Sequence, residues 1–78
     1  MPTLIRQDGF AIRIPTHDHE PPHVHCWRGD VEIVVNLDAN TSIREINGSA
    51  KAKDQRDAKR IVAEHRQMLL AAWRIIHG

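Results

Sequence analysis

A chain of 78 residues, 41% hydrophobic and 27% charged with a net charge of +1, holds one small domain and has no apolar run of membrane-spanning length. Domains this small bury only about 60% of their unfolded surface and lean on a partner, a metal or a staple. Cys26 is the single cysteine, so an intrachain disulfide is excluded.

The near-neutral total hides an asymmetry. Residues 1–48 carry four arginines against seven acids, whereas residues 49–78 carry seven basic residues against three acids. Either the halves pair internally or a basic surface is offered to an acidic partner. A lone cysteine among six histidines fits a reducing compartment. The segment Met1-Pro2-Thr3-Leu4-Ile5-Arg6 lacks the apolar stretch of a signal peptide. The expectation is a cytoplasmic domain with no membrane association.

Strand-like alternation fills the first half. Thr3–Arg6 and Phe10–Pro15 read as short strands around Gln7-Asp8-Gly9, since Asp-Gly is a strong hairpin signal. Phe10, Ile12 and Ile14 share a face. A third strand runs about His23–Arg28, and Gly29-Asp30 fits a two-residue turn into a fourth, Val31–Leu37. Ser42–Ile46 is a candidate fifth strand, and Asn47-Gly48 marks a break after it. With Gly29-Asp30 as the turn, Cys26 opposes Ile33 and Val24 opposes Val35. These four, with Val31 and Leu37, form the buried face. His23, His25 and Trp27 then face outward, across from Asn36, Val34 and Glu32. A one-residue slip would bury the imidazoles instead and expose branched apolar side chains worth about 1.5–3 kcal/mol each.

One amphipathic helix is expected over Asp54–Ile76. Asp54 serves as N-cap or first-turn acid, and Gly78 sits where a C-terminal stop belongs. Ala58, Ile61, Val62, His65, Met68, Leu69, Ala72, Trp73, Ile75 and Ile76 fall in one arc at 100° per residue. Arg56, Lys59, Arg60, Arg66 and Arg74 take the opposite side, with Leu70 among them. The fold class is therefore α+β: a small antiparallel meander of four or five strands, covered on one face by a long C-terminal helix. Residues 1–78 form a single domain, with the meander in 1–48 and the helical layer in 49–78. His65 reads as a hydrogen-bonded core histidine. The basic side is an ordinary solvated face or a contact for RNA, DNA or an acidic protein. Leu70 is an isolated exposed leucine or a docking point.

Four of the six histidines lie in His17-Asp18-His19-Glu20-Pro21-Pro22-His23-Val24-His25. The prolines stiffen the entry into the third strand. Imidazole is the commonest metal ligand and titrates nearest neutrality. As a metal site, His23 and His25 share a strand face and His19 reaches back from the loop, while His17, Asp18 and Glu20 are further donors. Zinc or another divalent transition metal suits such a set, and three nitrogens with an open position let a metal activate water. As a metal-free site, two close histidines act as general base and acid in RNA cleavage. As a contact surface, the imidazoles and Trp27 form a polar, pH-sensitive patch. The run His23-Val24-His25-Cys26-Trp27 partly resembles the histidine-triad nucleotide hydrolases. Trp27 stands at their third alternating histidine, however, and the chain is too short for that fold.

Further residues carry a broader resemblance. Met1-Pro2-Thr3, the Gly9-Phe10 strand, Asp18 through His25, and Arg60-Ile61-Val62-Ala63-Glu64-His65-Arg66 through Leu69-Leu70-Ala71-Ala72-Trp73-Arg74-Ile75-Ile76-His77-Gly78 resemble the small bacterial family catalogued as domain of unknown function 4160. The resemblance implies a β-meander with a C-terminal helix. It also implies a gene neighbour of the 2442 type, in an arrangement similar to toxin–antitoxin pairs. The recurrent polar positions it marks are His19, His23 and His25. His17 stands where no fixed histidine is expected, and residues 38–53 match the pattern poorly. The leading functional expectation is one component of a two-protein module that contacts a cognate small protein, or nucleic acid, through Trp27, Arg56, Lys59, Arg60, Arg66 and Arg74. The alternative is a histidine-based or metal-assisted RNase-type toxin using His19, His23 and His25 as catalytic or metal-binding residues. Self-association into a homo-oligomer is a further expectation.

Overall fold

The computed structural model describes residues 3–78; Met1 and Pro2, part of the N-terminal segment of the resemblance, lie outside it. Among the described residues five strands form one antiparallel sheet: β1 (Thr3–Gln7), β2 (Phe10–Arg13), β3 (His23–Arg28), β4 (Val31–Asn36) and β5 (Ile43–Asn47). Their order in the sheet is their order in the chain, so the first half is a meander. Asp8 and Gly9 both take positive φ, 52° and 81°, the turn geometry that matches strand twist. Gly29 takes φ 60° at the first position of its turn, as a glycine-first hairpin requires.

The β3–β4 register is the one that buries apolar side chains: Cys26 pairs with Ile33 and Val24 with Val35. His23, His25 and Trp27 consequently leave the sheet on the other face, opposite Asn36, Val34 and Glu32. The core joins Phe10, Ile12, Ile14, Val24, Cys26, Val31, Ile33, Val35 and Leu37 of the first half to Ala58, Ile61, Val62, Leu69 and Trp73 of the second. It is a two-layer domain.

The helical layer is two helices rather than one. They are α1 (Ala52–Glu64) and α2 (Arg66–His77), broken at His65, whose φ −110° and ψ 15° are not helical. Gln7, at the end of β1, holds the break: its amide donates to Glu64 at 2.9 Å and its carbonyl oxygen accepts from His65 Nε2 at 3.0 Å. His65 is therefore a hydrogen-bonded junction residue, only half-buried. The break also turns the two apolar faces relative to each other. A single helical wheel fails across it: Met68 and Ile75 are exposed, Ile75 at 84%, whereas Leu70 packs against the core. Asp54 is the first-turn acid and not the N-cap. Lys51 caps α1, and its backbone N–H donates to the Asp54 carboxylate at 2.9 Å.

Internal pairing absorbs much of the charge asymmetry. Arg28 of β3 bonds the carboxylates of Asp54 and Asp57 and the Asp8 carbonyl, and its guanidinium carbon lies 4.1 Å over the Phe10 ring. Arg60 pairs with Asp8 at 2.8 Å. Among the described residues, no helix is long and apolar enough to cross a membrane.

Candidate metal centre

β3 starts with His23, directly after Pro21 and Pro22, whose rings fix the backbone there, and the Pro22 carbonyl already accepts from the Leu37 N–H at 2.9 Å. The alternation then sends His25 to the same face. The connection from β2 runs back over this end of the strand and brings Asp18 to both rings. Asp18 Oδ2 lies 2.9 Å from His23 Nε2 and 3.4 Å from His25 Nε2. One donor atom from each of Asp18, His23 and His25 falls within 4.8 Å of the other two.

Each ring is steered through its other nitrogen. His25 Nδ1 donates to Glu32 Oε2 at 2.7 Å, and Glu32 is held in turn by Asn47 Nδ2 at 2.7 Å. His23 Nδ1 lies 2.8 Å from the Pro21 carbonyl oxygen. Carboxylates and carbonyls only accept, so these contacts place a proton on each Nδ1 and leave both Nε2 lone pairs aimed at the Asp18 oxygen. Three acceptors so close repel one another unless a proton on each ring or a metal ion lies between them. Fixing Nδ1 by a carboxylate or backbone carbonyl is the usual support of a metal-bound histidine. His23 has a second arrangement: with its proton on Nε2 it donates to Asp18, and Nδ1 accepts from Arg44 at 2.9 Å. His25 has no such freedom without placing two acceptors 2.7 Å apart. When a proton sits on Nε2, the hydrogen bond from His23, and after it the longer contact from His25, hold the Asp18 carboxyl below its ordinary range against a partial burial cost.

A cavity of about 270 Å³ opens beside these groups, lined by His17, Asp18, His19, His23, His25, Val34, Arg44 and Glu45. His25 is half-buried, but His23 is only 2% exposed, contrary to its expected outward position. Its ring centroid lies 5.2 Å from that of Trp73, and the 14–22 connection covers the rest. Glu20 is drawn away from the cluster, its carboxylate accepting from Trp73 Nε1 at 3.1 Å. The group that converges is thus Asp18, His23 and His25. His17 and His19 are exposed wall residues of the cavity.

Residues 38–53 hid the two groups that sequence reasoning missed, Arg44 and Glu45. A register shift between Val34 and Val35 separates Ile43 from Glu45 in the pairing, and this irregularity in β5 has no plain signature. Glu32, by contrast, was legible as a neighbour of His25 once the register was chosen.

The basic contact candidates are scattered. Trp27 is half-buried on the histidine face. Arg66 Nε bonds the carbonyls of Leu37 and Asp38 at 3.1 and 2.9 Å, and Arg60 is paired. Arg56 and Arg74 are exposed and Lys59 is half-buried.

A family model described as Domain of unknown function (DUF4160) matches residues 9–74. No curated protein and no solved structure matches the chain.

Proposed function

The chain belongs to this family, DUF4160, whose description names no reaction, and from its own residues we propose that it binds a divalent transition-metal ion, zinc foremost, through Asp18 Oδ2, His23 Nε2 and His25 Nε2. The observation that carries this reading is the steering of both rings through Nδ1, by Glu32 at 2.7 Å and by Pro21 O at 2.8 Å, with both Nε2 atoms aimed at one carboxylate oxygen. Three protein ligands beside an open cavity are the arrangement of a catalytic rather than a closed structural site. That favours the metal-assisted RNase-type reading over a pure contact surface. The setting we propose is one component of a toxin–antitoxin-like pair in the cytoplasm. In it Trp27, Arg56, Lys59 and Arg74 are the surface groups offered to a cognate small protein or to RNA.

The test is a zinc titration near neutral pH followed by imidazole NMR and by melting temperature. The signals of His23 and His25 should move together at one equivalent, and the melting temperature should rise, because an ion bound only to the folded chain stabilises it. Binding should weaken as the solution is made acidic, because a nitrogen that coordinates a metal must be free of its proton. His17→Gln/His19→Gln should keep the site, and Asp18→Asn should lose it. No response to zinc, nickel or manganese in the wild type would overturn the metal reading.

A further inference from the structure

Among the described residues, Arg44 is the one arginine or lysine in the wall of the cavity. Its Nη1 lies 2.9 Å from His23 Nδ1, the nitrogen that also faces the Pro21 carbonyl oxygen at 2.8 Å. When His23 carries its proton on Nδ1, as coordination through Nε2 requires, that nitrogen has nothing to accept with, and the Arg44 guanidinium loses its only hydrogen-bond partner among the described residues. Arg44 also forms no ion pair among them, although Glu45 is its neighbour in the chain. Glu45 is instead engaged by Asn47 Nδ2 at 2.7 Å. A guanidinium and a dication in the wall of one cavity repel each other unless an anion lies between the two.

We infer that the cavity takes a phosphate ester whose oxygens bridge the metal ion and the Arg44 guanidinium; this rests on the metal reading proposed above. Several features favour phosphate chemistry. Guanidinium offers paired donors in a fixed fork that matches two phosphate oxygens. A phosphoryl group that meets both a metal ion and an arginine is held by the two kinds of charge that stabilise phosphoryl transfer. His17 and His19, exposed on the same wall, add donors beside the entrance, and Val34 gives the cavity a single apolar surface. The opening to solvent leaves the ester's substituent free to be small or a chain. The shared chemistry is therefore the phosphate group itself, whether it comes from a mononucleotide or from single-stranded RNA.

The coupling has a direction. Zinc should turn His23 toward Nδ1–H, free Arg44 and so raise the affinity for phosphate. By reciprocity, phosphate should raise the affinity for zinc by the same factor.

The experiment uses the full chain and separates the two steps. Zinc binding is measured first without phosphate, for the wild type, Arg44→Met and Arg44→Lys. Phenyl phosphate, adenosine monophosphate and a short single-stranded oligoribonucleotide are then titrated into each zinc-loaded protein by calorimetry. All three proteins should bind zinc, Arg44→Met at least as tightly as the wild type, because the donor that competes for His23 Nδ1 is gone. Phenyl phosphate should bind the wild type, and Arg44→Met should weaken it about 10- to 100-fold, the usual scale for losing a charge-assisted bond. Arg44→Lys should recover part of that loss. Tighter binding of the mononucleotide than of the oligomer identifies a free nucleotide as the source of the phosphate, and the reverse order identifies RNA. Equal phosphate affinity in the wild type and Arg44→Met, with zinc bound normally in both, overturns this inference and leaves the metal reading intact. Absence of zinc binding in the wild type overturns the metal reading itself and, with it, the bridging arrangement.

Discussion

Glu32 and His25 stand diagonally across the β3–β4 pair, two positions out of direct register, and are joined by a 2.7 Å hydrogen bond from His25 Nδ1. Diagonal neighbours on one face of a sheet lie within reach of long side chains, so the register itself builds this contact. Its consequence is that the imidazole has a fixed tautomer and a fixed aim.

Glu32→Gln should therefore weaken zinc binding about 10- to 100-fold, the usual effect of removing a carboxylate that orients a ligating histidine. The melting temperature of the zinc-free protein should fall only modestly, because Gln keeps the shape of this largely buried side chain and an oxygen to accept from His25 or Asn47. Calorimetric zinc titration of the variant checks this, and an unchanged affinity would show that Glu32 does not orient the ring.

Trp73 fills the core from α2, 2% exposed, while its ring lies against His23 and His77 and its indole N–H reaches Glu20. Trp73→Ala should cost about 3–5 kcal/mol, much of the stability of so small a domain. Trp73→Phe should cost less but still loosen the 14–22 connection. Urea unfolding of both variants, with amide exchange at His19 and His23, reads the two effects separately.

Arg28 ties the meander to α1 through Asp54 and Asp57 from a site only 22% exposed. Arg28→Met keeps an aliphatic stem and removes the guanidinium that lies over Phe10 and bonds the two carboxylates. It should destabilise by about 1.5–3 kcal/mol, the range for hydrogen bonds to charged groups. A loss below about 0.5 kcal/mol in denaturant unfolding would mean that solvent replaces these contacts fully.

Cys26 is buried in the core, and burial pushes its thiol up to about 12. Near neutral pH it should resist alkylation by iodoacetamide in the folded protein and react once denaturant opens the core. Mass spectrometry with and without urea distinguishes the two states.

Acid should unfold the protein in a defined window. Hydrogen bonds from His23 to Asp18, from the Lys51 N–H and Arg28 to Asp54, and from Lys53 and Arg28 to Asp57 hold these carboxyls below their ordinary value of 3.8. The folded chain thus binds fewer protons than the unfolded one. Their stabilisation is complete above that value and is lost as pH falls through the depressed ones. Denaturant midpoints measured between about pH 5 and pH 2 should decline steadily. A flat profile would remove these contacts from the account of stability.

Local patterning in the chain by itself fixed the meander, the two hairpin turns, the β3–β4 register and most of the apolar side chains that meet across the layers. Alternation and turn chemistry are local, and a one-residue slip exchanges the faces of a strand. It also determined that His23 and His25 share a face, because a strand repeats every two residues. Only the tertiary structure decided the rest. The break at His65 depends on Gln7, far away in the chain, and it turns the apolar face of α2 so that Leu70 goes inward and Ile75 outward. The burial of His23 depends on Trp73 and on a connection with no period of its own. Asp18 rather than His19 meets the two rings because the path of that connection chooses among neighbouring side chains. Arg44 reaches them through an irregular β5. Residue types within a short segment name the chemistry available there; which of them converge is set by contacts between segments that no local pattern encodes.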